Sequence, residues 1–162
     1  MSKRTIWWAI PVMAVTLSLF SQPALAQSQT TATGAGGGAF PSGAAFNGVS
    51  LSTLSFGMGV LIAADGTATG DFESALVGTS AAGQPRTITV AGKASSGSFP
   101  AAGTATFSGI CSVNMGDGTP ALSMPFAATA VSGAGANATL RLSLGSTTLP
   151  AATGTDGRIA VK

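Results

Sequence analysis

From Val49 onward, apolar and polar residues alternate with a period of two in short runs. Ile88 and Val90 fall on one face, with Thr87 and Thr89 on the other. Ala105, Phe107, Cys111 and Val113 share a face opposite Thr104, Thr106, Ser108 and Ser112, while Ile110 falls on the polar side. Leu140, Leu142 and Leu144 alternate with Arg141 and Ser143, and Ile159 and Val161 are flanked by Arg158 and Lys162. Successive side chains of a strand point to opposite faces, so this pattern predicts half-buried β-strands. Asp65-Gly66, Asp117-Gly118 and Asp156-Gly157 separate or precede such runs. Asp-Gly suits tight hairpin turns because both residues tolerate positive φ. No run keeps a helical period, and glycine every few residues penalises a helix. The reading is all-β: an antiparallel sandwich or partly closed barrel of about seven to nine short strands.

The beginning of the chain follows a different pattern. Ser2-Lys3-Arg4 is basic, Ile6 to Phe20 is apolar, and Ala24-Leu25-Ala26 is a small-x-small site. This is the layout of a secretory signal peptide, and the apolar stretch is short of the about 20 residues that span a bilayer. Residues 1–26 are therefore expected to be cleaved, which leaves a secreted or periplasmic protein with no stable membrane anchor. Gln27 to Gly48 is polar and rich in Gly, Ser and Thr, without helical or strand period. It is expected to be a flexible linker, with Phe40 and Phe46 placed to dock back onto the domain. Residues 49–162 are expected to form a single β-domain.

Cleavage changes the charge balance. The whole chain carries a formal +2, but Lys3 and Arg4 would leave with the signal. Arg86, Lys93, Arg141, Arg158 and Lys162 then balance Asp65, Asp71, Glu73, Asp117 and Asp156. Without a basic cluster nothing draws nucleic-acid phosphates or anionic lipid. Charged residues make up 7% of the chain, against roughly 25% in ordinary soluble domains. Ser and Thr hydroxyls supply the polarity instead.

Candidate chemistry is sparse. The chain has no histidine, so it has no imidazole base, metal ligand or proton shuttle. Its single cysteine, Cys111, can form no internal disulfide and reads as a buried small hydrophobe. Gly57-Met58-Gly59 and Gly34 to Gly38 lack the remaining parts of nucleotide loops and read as loop or bulge glycines. Asp65, Asp71 and Glu73 are the one carboxylate grouping. They are the candidate ligands for calcium, which takes six to eight oxygens. The competing reading is a turn aspartate beside a solvated strand face. No catalytic residue and no cofactor are implied.

A set of segments resembles the small β-rich domains of secreted bacterial proteins called post-COAP domains. They are Phe56-Gly57, Asp65-Gly66-Thr67-Ala68-Thr69-Gly70-Asp71-Phe72, Val90-Ala91-Gly92-Lys93, Ala105-Thr106-Phe107-Ser108-Gly109 and Gly157-Arg158-Ile159-Ala160-Val161-Lys162. The likeness spans residues 50–162. The chain departs from the pattern at Asp71, where histidine is the more frequent residue, and in having no tyrosine. The resemblance implies an exported β-domain and no activity.

The expectation is a non-catalytic structural or protein-interaction module of the cell envelope or exterior, meeting a protein partner or further copies of itself. A small barrel carrying an apolar ligand is the alternative, and calcium-assisted adhesion is a third. An apolar cavity favours the carrier; a filled core with exposed Ser and Thr faces favours the contact module.

Overall fold

The computed structural model describes residues 29–162. The expected signal peptide, 1–26, lies outside the described residues. The elements are β1 (Thr30–Ala39), β2 (Ala45–Phe46), β3 (Val49–Ile62), β4 (Thr67–Ser80), β5 (Pro85–Ala101), β6 (Thr104–Asn114), β7 (Leu122–Val131), β8 (Gly133–Ala134), a 3-10 turn (Gly135–Asn137), β9 (Thr139–Leu144), β10 (Thr147–Thr148), β11 (Ala152–Gly154) and β12 (Arg158–Val161). The twelve strands exceed the expected seven to nine because β2, β8 and β10 are two-residue pairings and one run is split into β11 and β12.

All pairings are antiparallel, and they form one sheet. The order β3-β4-β5-β6-β7-β9-β11-β1 returns to β3 through the β1–β3 pairing, so eight strands form a ring. Each strand of six residues or more is paired on both sides. Ring closure thus removes the long free edges through which sheets add further strands.

Inward positions fill the ring with one apolar cluster. Phe72 of β4, Phe107 of β6 and Phe126 of β7 meet at its centre, with centroids 5.7–6.3 Å apart. Gly92 of β5 faces this cluster, and a Cβ there would lie 2.7 Å from the Phe126 ring. Ile110, on the polar side of its strand, is 59% exposed, while its neighbour Cys111 is buried.

The segment expected to be a linker is part of the sheet. β1 runs between β3 on one side and β11 with β12 on the other. A Cβ at Gly34 would come within 2.7 Å of the Arg158 carbonyl oxygen, and one at Gly36 within 2.5 Å of that of Asp156. The glycines that resemble a flexible lead are the residues whose missing side chains let two backbones approach. Phe40, Ala44 and Phe46 follow into the core. The Gly34–Gly38 run and Gly57-Met58-Gly59 are accordingly strand, not loop.

The Asp-Gly turns form where expected, by a different device. Gly66 and Gly118 take positive φ, +84° and +87°; Asp65 and Asp117 do not. Each aspartate instead bonds the threonine two residues on. Asp65 Oδ1 accepts from Thr67 N–H at 2.9 Å and Thr67 Oγ1 at 2.7 Å. Asp117 Oδ1 accepts from Thr119 N–H at 3.0 Å and Thr119 Oγ1 at 2.6 Å. A short carboxylate side chain thus replaces a backbone turn bond.

Candidate functional site

The outward face of β3, β4 and β5 carries a shallow depression. Period-two alternation sends Ser55, Gly57 and Gly59 of β3 outward, with Asp71, Glu73 and Ala75 of β4 and Thr89, Ala91 and Lys93 of β5. The register sets Gly57 opposite Glu73 and Glu73 opposite Ala91; Ser55, Ala75 and Thr89 form the next row. Three adjacent strands therefore present glycine, alanine, serine or threonine at neighbouring outward positions. The result is a shallow open hollow of about 390 Å3, bounded by Ser55, Gly57, Glu73, Ala75, Thr89 and Ala91. Smaller hollows continue it past Gly59 and Asp71, and past Lys93, so that Glu73 stands among three depressions.

Electrostatically, this face has one satisfied pair and one lone charge. Lys93 Nζ donates to Asp71 Oδ1 at 2.8 Å between exposed side chains. That hydrogen bond, together with the attraction of the carboxylate, raises the Lys93 pKa above its ordinary value. Glu73 has no hydrogen-bond or ion-pair partner among the described residues.

The three candidate calcium ligands do not converge. Asp65 belongs to the β3–β4 turn, where the Thr67 hydroxyl and then its N–H hold its pKa below the usual carboxylate value. From Thr67 to Asp71 the strand extends roughly 13 Å, whereas calcium needs every ligand at about 2.3–2.6 Å. Among the described residues no group of three His, Cys, Asp or Glu side chains is placed to hold a metal. Asp71 and Glu73 do share the outward face, as their spacing of two requires.

Cys111 lies against the core with its thiol toward the Met124 carbonyl oxygen, 3.4 Å away. Burial pushes its pKa up, which disfavours the reactive thiolate. The pocket between Leu54, Phe56, Leu140 and Ile159 measures about 10 Å3, no more than one water occupies. No helix among the described residues is long and apolar enough to cross a membrane.

No protein-family model, curated protein or solved structure matches the chain. The features of the molecule itself therefore carry its functional reading. The hollow escaped the sequence because its signal, small residues at Gly57, Ala75 and Ala91, becomes a pattern only when the register of three strands is known.

Proposed function

We propose that the protein is an exported, non-catalytic β-domain that acts by protein contact through the outward face of β3, β4 and β5. One contrast carries this reading: the outer hollow measures about 390 Å3, while the pocket among the buried side chains of Leu54, Phe56, Leu140 and Ile159 measures about 10 Å3. A carrier of apolar ligands needs enclosed space, generally about 300–1,000 Å3. Here Phe72, Phe107, Phe126 and the surrounding aliphatic residues occupy the inside of the ring. The free concavity lies outside, floored by small residues and rimmed by hydroxyls and a carboxylate. Export rests on the basic, apolar and small-residue pattern of residues 2–26.

Site-specific photo-crosslinking tests the reading. A photoreactive residue at Thr89 is expected to give a discrete protein adduct in the exported fraction, and the same residue at Thr153 on β11 a different adduct or none. A lipid-like mass that co-purifies with the native protein, with no adduct at Thr89, overturns the contact reading and establishes the carrier.

A further inference from the structure

We propose that the hollow beside Glu73 receives Arg141 of a second copy of this chain, so that copies join head to tail. The inference rests on the contact reading above and names its partner.

Charge pairing singles out Glu73, and position within the sheet singles out Arg141. Among the described residues there are five side-chain carboxylates. Asp65 and Asp117 accept from their threonines, Asp156 accepts from the Gly37 N–H, and Asp71 is paired with Lys93. Glu73 is the one carboxylate without a partner, and it stands at the hollow. Of the cations, Lys93 is taken by Asp71, and Arg86 donates to the Gly116 carbonyl oxygen at 2.9 Å. Arg158, the first residue of β12, and Lys162, just past its end, likewise have no side-chain partner among the described residues, but they flank the short final strand rather than stand within one. Arg141 stands in the middle of β9, exposed and without a bonded partner among the described residues, with Thr129 opposite it on β7.

Geometry favours the same pair. Counting through β5, β6 and β7, or through β3, β1 and β11, β9 lies four strands from β4 in the ring of eight. The lone carboxylate and the lone mid-strand cation therefore face opposite directions. Such a pair cannot satisfy itself within one molecule. Between molecules it makes a heterologous contact that repeats into an open chain. Arg141 projects from a face of Thr129, Thr139 and Ser143, and the hollow offers room on either side of Glu73. A guanidinium has five donors in a planar fork, which suits a carboxylate together with the Ser55 and Thr89 hydroxyls. With zero net charge on residues 27–162, copies do not repel one another strongly. An exposed ion pair alone stabilises little, so the contact depends on the two small-residue faces closing around it.

Sedimentation velocity on the purified protein, from micromolar to about 1 mM where weak contacts become measurable, tests the proposal. The wild type is expected to form species that grow with concentration and shrink as salt rises. E73R and R141E are each expected to weaken association at least about tenfold, because like charges then meet. Mixing the two variants, or combining them in one chain, is expected to restore it. Ala91→Leu, which fills the hollow without changing charge, is expected to weaken it as well. Unchanged thermal unfolding checks that each variant is folded. A wild type that stays monomeric at the highest concentration, or variants that assemble as the wild type does, overturns the proposal. A monomeric wild type that still gives a Thr89 adduct with a different protein overturns this inference alone and leaves the contact reading standing.

Discussion

The carboxylate of Asp156 accepts a hydrogen bond from the backbone N–H of Gly37 at 2.6 Å, across 119 positions of sequence. It does so where β1 changes partners. Gly38 pairs with Gly154 of β11 and Ala35 with Arg158 of β12. Three steps along β1 thus face four along the other run, and one extra residue bulges out. The Gly37 carbonyl is satisfied by Thr155 N–H at 2.9 Å; its N–H is left to the Asp156 side chain. Asp156→Ala is expected to destabilise the protein by about 1 kcal/mol, the usual net value of such a bond. Asp156→Asn, which keeps an acceptor, is expected to cost less. Urea unfolding of both variants checks the order, and equal stabilities would show that the bond contributes nothing.

β1 is integral to the ring, so its amides are expected to exchange slowly. Hydrogen exchange is expected to protect Thr31 to Ala39 as strongly as the central strands. Gly36→Val is expected to destabilise strongly, because its Cβ meets the Asp156 carbonyl oxygen at 2.5 Å, and backbone cannot step aside as a flexible side chain can. Rapid exchange throughout this segment would return it to the status of a linker.

Gly92→Ala is expected to cost about 1–3 kcal/mol, the range for overpacking a filled core. The added methyl would lie 2.7 Å from the Phe126 ring, which is itself held against Phe72 and Phe107. Combining it with Phe126→Leu is expected to recover part of the loss. Simple addition of the two losses would mean that the side chains do not compete for the same space.

Thr67 and Thr119 hold their aspartates below the ordinary carboxylate pKa. A carboxyl whose folded pKa is depressed adds stability above its unfolded pKa and loses it as pH falls through the folded value. The unfolded reference is 3.8 for both, so this contribution is expected to be complete at neutral pH and to fade below pH 3.8. Thr67→Val with Thr119→Val is expected to flatten the stability profile in that acid window. Melting temperatures between pH 2 and 6 read this out, and an unchanged slope would show that the turns do not contribute.

Cys111 is expected to react slowly with thiol reagents until denaturant is added. It is 2% exposed, and burial raises its pKa. Fast labelling of the native protein would show that β6 and β7 open readily around it.

The chain's alternation was enough to place Phe107, Cys111, Val113, Leu140, Leu142, Leu144 and Ile159 inside and Ile110 outside, because side-chain direction along a strand is a local property. Turn positions were local too, since an aspartate reaches a threonine two residues away. The fate of the glycine-rich run Gly34 to Gly38 was not local. The same composition serves a free linker or a strand squeezed between two backbones, and only the approach of Arg158 and Asp156 decides which. The hollow has the same origin. Gly57, Ala75 and Ala91 are unremarkable one by one, and cross-strand register makes them one floor beside Glu73. Ring closure, finally, depends on β1 meeting both β3 and β11, contacts between distant parts of the chain. Sequence fixes which way each side chain faces along its strand, while strand partners, and with them every surface shared between strands, are set by the packing of the whole chain.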